Sequence, residues 1–194
     1  MIDAIESKSY SIKDLSMETW DAYEKLMIKH HGVWGGCWCL YFHEKPKDYV
    51  GSYETNRLLK QELVRTNQTH AALAFHHDEC IGWCQYGSPH ELPKIYHKKE
   101  VESKTTLPDY RITCIFVDKD YRKQGVSEFV LKGALELIKQ SGGGVVESYP
   151  QDTVGKEVTS SFLYNSTRQI FEKTGFQMVG TKGKNHCIMR ITLS

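Results

Sequence analysis

The sequence predicts an α/β or α+β fold, and three observations indicate it. Short apolar stretches typical of strands alternate with longer segments whose apolar residues recur at helical spacing. These elements follow the order β-α-α-β-β-β-α-β-α-β, which is typical of a sheet flanked by helices and not of a bundle or a sandwich. A length of 194 residues suits one domain, here residues 1–194, and is large enough to bury a core.

The N-terminal half supplies the first three strands and the first two helices. The strands are predicted at residues 9–12, 70–75 and 80–86. The helices are predicted over residues 16–30 and 53–66, where apolar residues fall on one face. The second and third strands flank a polar turn, so they predict a β-hairpin.

The C-terminal half begins after a long segment, residues 88–108, that has no regular pattern and is predicted to be a loop. Strands are predicted at residues 111–118, 145–149 and 185–193, and a helix over residues 126–140. A last helix is predicted from a capping box at Ser166 and Gln169, with Gly175 just beyond its end. In that arrangement Phe176 packs on Phe171.

The junction between the strand at residues 111–118 and the following helix is the most informative feature. It places Gly125 and several backbone N–H groups at a helix N-terminus directly after an apolar strand. Such an end carries a partial positive charge and unpaired donors, so it can bind a pyrophosphate without a dedicated lysine. Taken alone, however, an ordinary strand-to-helix turn would have the same pattern.

Three segments, in the correct order, resemble the GNAT acetyltransferase superfamily. The pattern Arg122-x-x-Gly125-x-Ser127 is similar to its pyrophosphate loop, and the strand ending at residues 115–117 and the segment at residues 170–176 are similar to its flanking motifs. The resemblance implies a GNAT fold with a mixed central sheet of six to seven strands and helices on both faces. A Gly-Gly-Cys-Trp-Cys segment at residues 35–39 resembles a bacterial subgroup of that superfamily.

The resemblance also implies that acetyl-CoA binds where two central parallel strands separate. The backbone of Ile115, Phe116 and Val117 would pair with the pantetheine arm of the coenzyme. The pyrophosphate would be held by the loop and helix end formed by Arg122, Lys123, Gln124, Gly125, Val126 and Ser127.

Direct attack of an amine on the thioester requires a base, an oxyanion donor and an acid for the departing thiolate. The family often has a tyrosine as the acid where this chain has Phe171. We therefore expect Tyr149 or Tyr164 to replace it, or water to do so. Glu147, the acidic residue in the strand beside the implied cleft, is the candidate base, although a solvent-facing strand residue is an equal alternative.

The sequence signals for the residues that bind the acetyl acceptor are less specific than those for the coenzyme. In this fold, the segment after the first helix often borders the acceptor, so Trp34, Trp38 and Tyr41 are candidates for substrate binding, with a role in the core as the alternative. Cys37 and Cys39 are not expected to bind a metal, because no second tight Cys/His pair follows them.

The resulting prediction is transfer of an acetyl group from acetyl-CoA to a primary amine of a small molecule. A non-catalytic acyl-CoA-binding sensor is the alternative, because Phe171 has no proton to give. The net charge of +1, from 25 basic and 24 acidic side chains, predicts no nucleic-acid or membrane partner. The N-terminus lacks the pattern of a signal peptide, so a cytoplasmic location is expected, and the oligomeric state, a homodimer included, stays open.

Overall fold

The structure of the protein is a computed structural model that describes residues 9–153 and 163–194. Within these ranges, the strands are Tyr10–Asp14 (β1), His70–His76 (β2), Glu79–Gly87 (β3), Tyr110–Val117 (β4), Gly144–Ser148 (β5), Gln177–Lys182 (β6) and His186–Leu193 (β7). The α-helices of the same ranges are Trp20–Lys29 (α1), Tyr53–Arg65 (α2), Lys98–Glu102 (α3), Val126–Gln140 (α4) and Arg168–Lys173 (α5). None of these helices has the length and hydropathy of a membrane span.

All of these strands belong to one mixed sheet with the order β1-β2-β3-β4-β5-β7-β6. Strands β4 and β5 are parallel, whereas the other neighbouring pairs in the described part of the chain are antiparallel. The predicted α/β or α+β class and the mixed sheet of six to seven strands are therefore confirmed. The parallel pair lies at the centre of the sheet, and its two C-terminal ends open at the same edge.

Helices cover both faces of the sheet, as predicted, because each face is apolar. On one face, α4 buries Val130, Leu131 and Ala134 against β2, β3 and β4. On the other face, α1 and the loop after it pack an aromatic cluster that includes Trp20 and Tyr23 against β3. Burial of this apolar surface stabilises the fold and fixes the positions of the loops around the central strands.

The beginning of α5 differs from the sequence prediction, whereas its end agrees. Ser166 is not the N-cap, because it has a left-handed φ of +58° and its carbonyl accepts the Gln151 N–H at 3.2 Å. Thr167 occupies the N-cap and makes no side-chain cap, so the expected capping box is wrong. The helix ends before Gly175, and the Phe171 and Phe176 rings meet at 5.0 Å between centroids, as expected.

One strand and one α-helix of the described residues were missed in the sequence, as was a 3-10 helix at Lys119–Tyr121. Strand β6 is an edge strand whose exposed and half-buried positions alternate, and its only fully covered residue is Lys182. The apolar alternation on which a strand prediction depends is therefore weak there. Helix α3 interrupts the segment predicted to be a loop, but it has only five residues.

Candidate functional site

Strands β4 and β5 separate in the middle of the sheet. Their parallel pairing runs from Tyr110 and Val146 to Ile112 and Ser148 and then stops. Beyond this point side chains replace the backbone ladder. The Ser148 hydroxyl donates to the Ile112 carbonyl at 3.1 Å, and the Asn165 amide donates to the Ser148 hydroxyl at 2.9 Å. These side-chain bonds therefore hold the two strands apart beyond Ile112 and Ser148.

The turn before α5 enters this opening. The Ile115 N–H donates to the Tyr164 carbonyl at 2.8 Å, so this donor of β4 is already satisfied. The Val117 N–H points to the same side, because backbone groups two residues apart in a strand face the same way. The backbone N–H of Val117 is thus the donor of β4 that faces the cleft, past the point where the turn is bound.

A cleft of about 480 Å³ follows the free edge of β4. Of the predicted coenzyme-binding residues, Ile115, Phe116, Val117, Arg122 and Ser127 line it. The opposite walls come from the end of α1, its following loop, and the residues around α5, and they include His30, Trp34, Leu163, Thr167 and Ile170. The lining is mostly apolar along the strand and polar near α4.

The N-terminus of α4 lies at the polar end of the cleft. Gly125 is its N-cap with φ of +81°, a left-handed conformation that favours glycine, and it has no side chain with which to cap the helix. The first intrahelical bond runs from the Phe129 N–H to the Gly125 carbonyl at 3.0 Å. The N–H groups of the first turn therefore have no acceptor within the helix.

The other predicted loop residues contribute differently. Val126 is buried in the core, and the Gln124 side-chain amide donates to the Asp120 carbonyl at 3.0 Å. Lys123 has a left-handed φ of +59°, which turns the chain into the helix. None of these three side chains, nor Gly125, lines the cleft. Any part they have in anion binding comes through the backbone.

A buried carboxylate ties α1 to this end of β4. Lys29 donates to Asp118 Oδ2 at 2.6 Å, and His30 Nε2 lies 3.3 Å from Asp118 Oδ1. Burial raises the pKa of the Asp118 carboxyl, but the Lys29 ammonium and the Asp120 N–H hold it below its usual value. The bonds from Lys29 fix the end of α1, where the His30 ring packs against the Phe116 ring with 4.9 Å between centroids.

A second cavity, which we call the acceptor pocket, lies next to the cleft and shares Trp34 with it. It has a volume of about 220 Å³ and is lined by Trp34, Cys37, Tyr41, Phe42, Tyr96, Cys114 and Tyr164. Trp34 and Tyr41 were expected in such a pocket. Trp38 does not line it, because it is buried in the core and stacks on Trp20 at 6.2 Å.

Tyr164 is the predicted acid that lies in this pocket. Burial raises the pKa of its hydroxyl to about 12, so the group keeps its proton at neutral pH. Tyr149 is more deeply buried and its hydroxyl donates to Glu147 Oε1 at 2.5 Å. Burial, and then the Glu147 carboxylate, raises the pKa of Tyr149 as well.

Glu147 does not line the cleft or the acceptor pocket. Its side chain is 0% exposed, and Arg190 Nε donates to its Oε2 at 2.7 Å. It borders a third cavity of about 720 Å³ on the side of α3, together with Arg111 and residues 101–108. The sequence placed Glu147 correctly in the strand beside β4, but both of its oxygens are engaged away from the cleft.

Four residues of the acceptor pocket were not among the predicted site residues. Cys37 and Phe42 lie in the segment after α1, close to Trp34 and Tyr41, and Cys114 lies in β4. Tyr96 comes from the long segment before α3, and no local pattern points to it. Within the described residues, no group of three or more His, Cys, Asp or Glu side chains has an arrangement suited to a metal ion.

Comparisons with known proteins agree with this geometry. Residues 36–153 match the sequence model of the acetyltransferase (GNAT) family. None of the curated proteins compared with the chain matches it significantly.

The fold is similar to several solved structures, each below 20% identity, so the likeness concerns the fold. An N-acetyltransferase from Staphylococcus aureus is 14% identical with a TM-score of 0.53, covering 96% of this chain and 99% of that one. The PaiA N-acetyltransferase of Thermoplasma acidophilum, solved in complex with coenzyme A, is 17% identical with a TM-score of 0.52, covering 95% and 99%. A GNAT acetyltransferase from Streptococcus pneumoniae is 11% identical with a TM-score of 0.53, covering 95% and 100%.

Proposed function

Because the chain belongs to the acetyltransferase (GNAT) family, which uses acetyl-CoA, we propose that it acetylates a primary amine of a small molecule by direct attack. One observation carries this proposal. The cleft between β4 and β5 has a helix N-terminus at one end and adjoins the acceptor pocket at the other, and Trp34 lines both cavities. A donor and an acceptor can therefore meet at one point.

The cleft suits the coenzyme in two respects. The N–H groups of the first turn of α4, with Arg122 and Ser127 in the cleft wall, would bind the pyrophosphate. The free edge of β4 up to Val117 would pair with the amides of the pantetheine arm, as a strand pairs with an added strand. Acetyl-CoA supplies the acetyl group as a thioester, and the residues of this chain orient it.

For the chemistry we assign Tyr164 as the general acid. Its side chain lines the acceptor pocket and its hydroxyl stays protonated at neutral pH, so it would give a proton to the departing thiolate. Tyr149 is the weaker candidate, because its hydroxyl is buried and already donates to Glu147. The sequence-based assignment of Glu147 as the base changes accordingly, because the bonds from Tyr149 and Arg190 make it a positioning residue.

No carboxylate or imidazole lies among the described residues that line the acceptor pocket. An ammonium group entering this apolar space loses its hydration without gaining a partner, so its neutral form is favoured. We propose that the pocket itself promotes loss of the proton from the amine, and that water accepts it. The neutral amine then attacks the thioester carbonyl, and an N–H of β4 such as that of Val117 donates to the oxyanion. As the C–S bond breaks, the thiolate takes the Tyr164 proton, and the second proton of the attacking nitrogen returns through water to the Tyr164 oxygen.

The test is release of coenzyme thiol from acetyl-CoA over a panel of amines, with the acetylated product identified by mass spectrometry. We expect amine-dependent release well above the rate of hydrolysis without an acceptor. Tight binding of acetyl-CoA by calorimetry with no release for any amine would refute the proposal, and it would favour a non-catalytic acyl-CoA sensor.

A further inference from the structure

The acceptor pocket is lined by aromatic side chains and thiols. Among the residues that the structure describes, seven side chains line it, five aromatic rings and two thiols, and none of them is a carboxylate, a guanidinium, an ammonium or an imidazole. Tyr41 and Tyr96 stack with centroids 5.2 Å apart and planes at 19°, and Phe42 and Tyr164 meet at 5.9 Å. These rings come from three separate segments of the chain, so the fold assembles the aromatic surface and no local motif produces it.

The volume of the pocket limits the size of the acceptor. A dry apolar cavity of about 150 Å³ holds one benzene molecule. A pocket of about 220 Å³ therefore holds one six-membered ring and a short chain, but not a fused ring system with a long tail. The neighbouring cleft begins at Trp34, so the chain carrying the amino group has to point in that direction.

A buried cation lies behind one wall of the pocket. Lys182 is 2% exposed, and its ammonium is 5.8 Å from the centre of the Tyr96 ring and 4.7 Å from that of Tyr149. This charge already interacts with the electron-rich face of the pocket wall. A second positive charge in the pocket would be repelled by Lys182 and would have no carboxylate partner among the described residues of the lining.

We propose that the acceptor is a primary amine joined by a short chain to one uncharged aromatic ring. This inference rests on the proposed acetyl transfer and names the substrate class of that site. The ring lies among the five aromatic side chains, and the amino group points toward Trp34 and the cleft. Acceptors that carry a second charge are excluded, because the pocket would bury that charge without a partner.

Paired acceptors test the role of charge. 2-Phenylethylamine is compared with phenylalanine, which adds a carboxylate, and hexylamine with 1,6-diaminohexane, which adds an ammonium. We expect kcat/KM to fall at least about 30-fold within each pair when the charge is added. We also expect a higher kcat/KM for 2-phenylethylamine than for hexylamine, because ring stacking adds to the apolar contact.

A designed variant tests the pocket itself. Tyr41 lines it but is 44% exposed, so Tyr41→Glu places a hydrated carboxylate at its mouth with little effect on folding. We expect this variant to raise the ratio of kcat/KM for 1,6-diaminohexane over hexylamine at least about 10-fold. Val50→Glu is the matched control, because it adds the same charge at a site that is 80% exposed and outside the pocket. Both variants should melt within a few degrees of the parent.

Binding is measured separately, so that the two proposals can fail independently. Calorimetric titration of 2-phenylethylamine into the protein saturated with coenzyme A should show binding that Tyr41→Glu weakens and Val50→Glu does not. Such binding without any acetyl transfer would refute the proposed activity and leave this inference standing. Equal turnover within either pair of acceptors, or no binding of 2-phenylethylamine, would overturn the inference.

Discussion

Replacing Glu147 by glutamine separates a structural role of this carboxylate from a catalytic one. The side chain is 0% exposed, and it accepts bonds from Tyr149 at 2.5 Å and from Arg190 at 2.7 Å. The glutamine carbonyl can still accept the bond from Tyr149. Its amide nitrogen cannot accept from Arg190, so the guanidinium loses its ionic partner.

The expected cost follows from this geometry. Removing one partner of a fully buried ion pair costs about 3–5 kcal/mol. The Arg190 side chain remains 19% exposed and keeps its bonds to Thr106, so we expect a loss of about 2–3 kcal/mol in the free energy of unfolding. For a chain of this size each kcal/mol corresponds to roughly 2–4 °C, so the Tm should fall by about 4–12 °C.

Thermal melts and urea unfolding of Glu147→Gln, Arg190→Met and the double variant measure the coupling between the two residues. We expect a coupling energy of at least about 1 kcal/mol. The pH profile of kcat/KM for Glu147→Gln should keep its shape, with a loss of no more than about 10-fold. An unchanged Tm would refute the structural role. A loss of about 1,000-fold in kcat at unchanged stability would show instead that Glu147 is the base.

Three further predictions concern the acid, the helix end and the buried lysine. Tyr164→Phe should lower kcat about 100-fold with little change in KM, because the thiolate then takes its proton from water. Gly125→Ala should raise the KM for acetyl-CoA about 10-fold and cost about 1 kcal/mol in stability, because a Cβ is strained at φ of +81° and projects beside the helix N-terminus. Burial lowers the pKa of Lys182 to about 8, so this residue binds fewer protons in the folded protein than in the unfolded chain between pH 8 and about 10.5, and its own contribution to stability rises with pH across that window. Burial raises the pKa of thiols such as Cys80 and Cys187, which contribute in the opposite sense, so the lysine is isolated by comparing the parent with Lys182→Met. Relative to the parent, Lys182→Met should be more stable by about 2 kcal/mol at pH 7, and this difference should shrink as the pH rises to 10.

Each of these predictions has a control. If Tyr164→Phe keeps the parent kcat, the acid is Tyr149 or water. Gly142→Ala is matched to Gly125→Ala, because Gly142 also has a positive φ, +110°, with open space at its Cβ position, but it lies outside the cleft. It should lose similar stability at an unchanged KM for acetyl-CoA, and equal KM values in the two variants would contradict the role of Gly125. For Lys182, an equal dependence of stability on pH in the parent and in Lys182→Met between pH 8 and 10 would contradict the buried, weakened ammonium.

The strand-to-helix junction at Gly125 could be predicted from the sequence because its signals are local. Gly125 stands between an apolar strand and a long helix, and the backbone groups of neighbouring residues form the helix end proposed to bind the coenzyme. The contact of Phe171 with Phe176 was predictable for the same reason, since both residues flank one helix end. The resemblance of these segments to a known family then indicated how they lie in the fold.

The acceptor pocket could be predicted only in part. Trp34, Tyr41 and Tyr164 were named from the sequence, but the way they come together depends on contacts over long sequence distances. Tyr41, Tyr96 and Tyr164 are more than 50 residues apart, and only the packing of the sheet brings them to one pocket. Glu147 shows a second limit. The sequence placed it in the correct strand, but the face to which its side chain points, and its bond with Arg190 on a strand 43 residues later, depend on the tertiary structure.

The turn at Tyr164 and Asn165 connects the two halves of the site mechanically. Its Tyr164 carbonyl holds β4 through the Ile115 N–H, while the ring of the same residue forms a wall of the acceptor pocket. A displacement of this turn would therefore affect both β4 and the wall of the acceptor pocket. If the coenzyme binds along β4 as proposed, an acyl group longer than acetyl would need room beside this turn and would leave less space for the amine. We therefore expect an inverse relation between the two substrates. A variant that accepts a longer acyl chain should accept only smaller amines, and a variant that accepts larger amines should be restricted to short acyl chains.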